Sequence, residues 1–209
     1  MINANLPKVV IIGSMAFTVN FDAEATRLEL EGGNHIAQSS AHEGYIQILP
    51  TAPIERQWAL FWQEVAYQLL FAAGADEDTC TKYYSIIGNV LYNTLDTDTI
   101  IWLSDIKPSV VPTQVKVNGI PYALHFDRDD YLEGKGLAGE CDFTNTEILL
   151  QSTLKDTARG CIACHEVIHA VLHEACCEEL NEEKYVEPLG RFFYRFMVDN
   201  GVQLLRGNR

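Results

Sequence analysis

The chain has 209 residues, 47% of them hydrophobic and 10% aromatic, enough to bury one or two compact cores. Its 21% charged fraction is that of a folded protein, which argues against long disorder. The net charge of −14 repels phosphate backbones and makes nucleic acid a poor partner, and no apolar run approaches the roughly 20 residues that span a bilayer.

In chain order, the first elements are extended segments at Val9–Ile12 and Ala16–Phe21. The apolar stretch from Val9 to Val19 reads as buried strand rather than as the core of a signal peptide. Its basic flank is only Lys8, and no good cleavage site follows. A polar, Gly-rich stretch comes next, then a short strand at Tyr45–Leu49. Apolar residues at helical spacing predict an amphipathic helix over about 53–73 and a second over about 81–95. Ser104–Thr113, with Pro108 and Pro112, reads as a short stiff connector.

The same order then recurs. Extended segments at Gln114–Val117 and Tyr122–Phe126 precede a Gly-rich stretch, a strand at Glu147–Leu150, and helices over about 154–174 and 183–198. Residues 46–103 lie over residues 148–205 at a constant offset of 102, without a gap. Glu64-Val65 falls on Glu166-Val167, Lys82-Tyr83 on Lys184-Tyr185, Gly88 on Gly190 and Tyr92 on Tyr194. A gapless register through two helical segments predicts an internal duplication. The expected fold class is α+β: two similar units, residues 1–104 and 105–209, each a small antiparallel sheet with two main helices on one face. They are expected to pack in cis about an approximate two-fold axis, because a unit of this size leaves an apolar face poorly covered.

The chemistry-bearing motif is His165-Glu166-Val167-Ile168-His169. On a helix the two histidines stand one turn apart on the same face, the spacing that lets both imidazoles reach one zinc ion. Glu166 lies beside them without being needed as a ligand, so it is free to act as a base toward water that zinc has acidified. The competing reading is a chance match on a core helix. Two histidines do not complete a site. His173, two turns beyond His165, is too far along the axis to share their ion and reads as a helix-end histidine. Leu172 and Ala175 stand where a longer zinc signature requires glycine and histidine. A glutamate of the following helix can swing back to the metal, and Asn181-Glu182-Glu183-Lys184-Tyr185-Val186-Glu187 offers several.

These residues resemble the gluzincin metallopeptidases, most closely their minimal single-unit forms in phage and bacterial genomes. The shared elements are the HExxH helix, a loop, and an Asn-Glu-rich helix start followed by apolar and aromatic positions such as Leu189, Phe192 and Tyr194. The resemblance covers roughly residues 114–205. It implies a zincin-like fold, one Zn2+ per chain, Glu183 as third ligand and Glu187 as a carboxylate steadying a ligand histidine. It also implies that the strand before the zinc helix, with Glu147, Ile148, Leu149 and Leu150, pairs with an extended peptide by edge addition. Pro188 leaves an alternative open. If the second helix begins near Glu187, with proline as its first residue, Glu187 competes for the metal.

The expected function is zinc-dependent hydrolysis of peptide bonds in the cytoplasm, with Glu166 catalytic and a peptide or protein as substrate. The alternative is a non-catalytic, zinc-stabilised binding or scaffold protein. Tyr194 and His125 are weak candidates for a further oxyanion donor. Six cysteines, four of them close to the motif, read mostly as small buried hydrophobes of a reduced protein. Cys161-Ile-Ala-Cys164-His165 also matches a haem-attachment signature, but that would commit His165 to iron. At the offset of 102 the first unit carries Gln63 for His165, Tyr67 for His169, Thr81 for Glu183 and Ser85 for Glu187, keeping only Glu64 for Glu166. It reads as a copy without metal ligands.

Overall fold

A computed structural model describes residues 6–20, 36–94, 113–127 and 130–200. The chain is α+β and divides into two compact units, Met1–Tyr92 and Asn93–Arg209. The anticipated boundary at 104/105, and the connector as far as Pro112, lie outside the described residues.

The first unit contains β1 (Val9–Ile12), β2 (Met15–Asn20), β3 (Ala37–Ser40), β4 (Tyr45–Ile48), α1 (Ile54–Ala72) and α2 (Glu77–Thr94). Strand β1 turns into β2 through the stretch that resembled a signal-peptide core. The second unit contains β5 (Gln114–Val117), β6 (Ile120–Asp127), α3 (Tyr131–Lys135), β7 (Gly139–Asp142), β8 (Glu147–Gln151), α4 (Asp156–Glu174) and α5 (Glu183–Asn200). A 3-10 turn at Glu178–Leu180 joins the last two helices.

Both sheets are mixed, not antiparallel as expected. The orders are β1-β2-β4-β3 and β5-β6-β8-β7, with β2–β4 and β6–β8 parallel. The Gly-rich stretches hold the reason. Each contributes an additional antiparallel strand, β3 or β7, which reverses the chain so that the next strand runs parallel to the one before. These strands are short, partly exposed and without apolar alternation (Ala-Gln-Ser-Ser and Gly-Glu-Cys-Asp), so they lack the pattern that marks a half-buried strand.

The first core packs Val10, Phe17, Val19, Ile46 and Ile48 of the sheet with Trp58, Phe61, Trp62 and Val65 of α1, all buried. Phe61 meets both tryptophan rings edge-on, at 5.8 and 5.4 Å between centroids. The second core uses Val115, Val117, Tyr122, Ile148 and Leu150 with Val167, Val171 and Leu172 of α4 and Phe193 and Phe196 of α5. Gly190 lets α5 approach α4 closely, since a Cβ there would stand 2.8 Å from the Cα of His165. Gly88 does the same against Gln63.

The turns differ in chemistry. Gly44 takes a left-handed φ of 67° before β4, whereas the matching position before β8 is Thr146 at 52°. A β-branched residue adopts that region at a cost. The turn is pinned by the Asp142 carboxylate, which accepts bonds from the backbone N–H groups of Thr144 and Asn145 at 2.9 and 3.0 Å and from the Asn145 amide at 2.8 Å.

Candidate metal centre

Helix α4 turns its apolar residues into the core and leaves His165 and His169 half-buried on the remaining face. The two imidazoles sit 5.0 Å apart at 72°. Glu183, the first residue of α5, brings its carboxylate to both. Oε2 lies 3.3 Å from His165 Nε2, and Oε1 lies 3.2 Å from His169 Nε2. One ligand atom from each of the three residues can be chosen so that all lie within 4.8 Å of one another. Donor atoms of a tetrahedral zinc ion with bonds of about 2.0–2.2 Å stand roughly 3.3 Å apart. Two imidazoles and a carboxylate form a donor set that zinc can take, and the Glu183 oxygens lie at about that distance from both Nε2 atoms. Among the described residues this is the one such cluster.

A histidine must be neutral to bind a metal. Burial holds the His165 imidazole below its ordinary pKa, against the opposing pull of the Glu183 carboxylate. The Asn181 amide stands beside His169, its Oδ1 2.7 Å from Nδ1 and its Nδ2 donating to the His169 carbonyl oxygen at 3.4 Å. With Nδ2 so engaged, Oδ1 is the acceptor and the ring's Nδ1–H the donor. That tautomer leaves the Nε2 lone pair facing Glu183.

Glu166 is 5% exposed, and burial, with the Glu183 and Glu140 carboxylates nearby, pushes its pKa up to about 8. It lies against Gly139 of β7, where a Cβ would stand 2.5 Å from Oε1. A groove of about 860 Å³ runs past these groups, lined among others by Gly139, Cys141, Cys161, His165, Glu166 and Glu183.

Several expected roles change. Helix α5 runs unbroken from Glu183 through Pro188, so Glu183 is helical and the late start at Glu187 does not occur. Pro188 lies inside the helix, past its first turn, and removes the bond that its missing N–H would give to the Lys184 carbonyl. Glu187 lines the groove but pairs with Arg191 one turn later, and the side chain that holds His169 is Asn181. Strand β8, with Glu147, Ile148, Leu149 and Leu150, is bonded to β6 on one side and β7 on the other, so its backbone is closed to edge addition. Strand β7 is the edge, and its Gly139, Glu140 and Cys141 line the groove. His125 and Tyr194 are not among the lining residues. His173 is stacked on Phe143 at 4.2 Å, with its Nδ1 3.1 Å from a Glu178 oxygen. None of the six cysteines forms a disulfide; Cys80, Cys164 and Cys177 are buried, Cys141 and Cys161 half-buried and Cys176 exposed.

In the first unit the residues at the corresponding positions make other contacts. Gln63 Nε2 donates to Asn89 Oδ1 at 3.0 Å, and Tyr67 meets the Tyr84 ring edge-on at 5.9 Å. Glu64 accepts a bond from the Ser39 hydroxyl at 2.6 Å. No protein-family profile, curated protein or solved structure gives a match to this chain. Among the described residues no helix is long and apolar enough to cross a membrane.

Proposed function

We propose that the second unit is a small zinc-dependent peptidase of the gluzincin kind, and that the first is a duplicated copy which has lost the metal ligands. The observation that carries this reading is the convergence of His165, His169 and Glu183 beside a buried carboxylate, Glu166. The duplication is supported by matching strand orders, and by close-approach glycines at Gly88 and Gly190 facing Gln63 and His165.

His165 and His169 offer neutral nitrogens and Glu183 an anionic oxygen, which is the donor chemistry zinc takes in catalytic sites. Zinc bound there supplies Lewis acidity, lowering the pKa of water and polarising a carbonyl. The chain's own residues do the rest. An extended peptide adds to the free edge of β7 and lies along the groove. Glu166 takes the proton of the attacking water on its carboxylate and returns it to the leaving nitrogen. The buried floor of α4 keeps bulk water from the base.

Glu166→Gln separates catalysis from metal binding. Purified protein loaded with zinc and assayed on fluorescein-labelled casein is expected to lose activity by at least about 100-fold in this variant, while zinc content stays at the wild-type level. Wild-type turnover in Glu166→Gln rejects the mechanism.

A further inference from the structure

The two units hold the same buried glutamate in opposite ways. In the first, Glu64 is tethered: Gln68 Nε2 donates to Ser39 Oγ at 2.8 Å, and the Ser39 hydroxyl donates to the Glu64 carboxylate at 2.6 Å. Ser39 lies on the edge strand β3, opposite Ile46 of β4. In the second unit the equivalent strand positions are Cys141 opposite Ile148, and Gly139 opposite Leu150 where the first unit has Ala37 opposite Ile48. The helix position of Gln68 is taken by Ala170. The hydroxyl donor and the amide that orients it are thus both replaced by groups that hydrogen-bond weakly or not at all. Glu166 is as buried as Glu64, 5% against 6% exposed, yet among the described residues no hydrogen bond reaches its carboxylate.

The glycine contributes the space. A Cβ on Gly139 would stand 2.5 Å from Glu166 Oε1 and 2.9 Å from its Cδ. The carboxylate occupies the volume that the first unit gives to the Ala37 methyl. Any side chain at 139 pushes the carboxylate off β7, at little cost to the fold, because what must move is the end of a flexible side chain.

We propose that Gly139 and Cys141 are positioning residues: Gly139 opens the place where the Glu166 carboxylate lies, and Cys141, standing where the other unit has a tethering serine, leaves that carboxylate free to face the groove. Restoring a hydroxyl or a methyl at these positions converts the poised glutamate into a held or displaced one. The kinetic side of this inference rests on the peptidase reading; its structural side does not.

Two substitutions test it in the full-length, zinc-loaded chain. Cys141→Ser introduces the donor. A hydrogen bond to a charged group differs from none by enough to lower kcat roughly 10- to 100-fold, with KM on labelled casein unchanged, one zinc per chain and an unaltered Tm. Its crystal structure is expected to show the introduced hydroxyl within hydrogen-bond distance of the Glu166 carboxylate. Gly139→Ala is expected to shift the carboxylate by about 1 Å and lower kcat on the order of 100-fold, again with KM and zinc retained. Wild-type kcat in both variants overturns the inference. So does a carboxylate that keeps its wild-type position and partners in both crystal structures. If the wild-type protein cleaves nothing, the peptidase reading falls, and the two crystal structures still decide the positioning role.

Discussion

The Asn181 side chain holds His169 at two points, Oδ1 to the ring Nδ1 at 2.7 Å and Nδ2 to the backbone oxygen at 3.4 Å. The ring is thereby turned so that Nε2 meets Glu183. Residues that orient a metal ligand in this way typically contribute 10- to 100-fold to metal affinity, roughly. Asn181→Ala is expected to weaken zinc binding by about that factor in competition with a chromophoric chelator, and Asn181→Asp, which keeps the acceptor, to recover most of it. Equal affinity in wild type and Asn181→Ala contradicts the role.

The two glutamates of α5 separate cleanly. Glu183 touches both histidines, whereas Glu187, one turn further on and lining the same groove, is paired with Arg191. Glu183→Ala removes a ligand and is expected to abolish stable zinc retention through gel filtration. Glu187→Ala is expected to keep one zinc per chain, because an exposed ion pair contributes about 0–1 kcal/mol and no ligand is lost. The reverse pattern makes Glu187 the ligand.

The retained carboxylate of the first unit predicts a pH effect. Burial pushes Glu64 up to about 7 from 4.5, partly offset by the Ser39 bond. The folded chain therefore binds this proton more tightly than the unfolded chain. The associated stability is complete below about pH 4.5 and is lost as pH rises through 7. Glu64→Gln keeps an oxygen for Ser39 and has nothing to titrate. Relative to wild type it is expected to gain up to roughly 3 kcal/mol between pH 5 and pH 8. Urea unfolding followed by tryptophan fluorescence reports on this unit through the buried Trp58 and Trp62. A wild-type-to-variant difference that is the same at both pH values contradicts the assignment.

The placing of His165 and His169 together was legible in the sequence because it depends on local spacing. His165 and His169 share a helix face by periodicity alone, and the recurrence of Gly88 at Gly190 marked the helix pairing that the structure explains through Gln63 and His165. The helices are found within a few residues of expectation, at Ile54–Ala72, Glu77–Thr94, Asp156–Glu174 and Glu183–Asn200. What escaped depends on strands whose side chains carry no pattern. Gly139-Glu140-Cys141-Asp142 reads as a loop, so the extra strand, the mixed sheet and the transfer of the free edge from β8 to β7 could not be anticipated. Asn181 was visible beside Glu182 and Glu183, but its partner is twelve positions back on another helix, a relation that only the turn at Glu178–Leu180 creates.

We propose a single zinc site per chain, held by His165, His169 and Glu183, with none in the first unit. Elemental analysis of full-length protein, loaded with zinc and then passed through gel filtration without chelator, tests it most directly. One zinc per chain is expected, since Gln63 and Tyr67 stand where the other unit has its histidines. A chain that retains no zinc, or one that retains two, contradicts it.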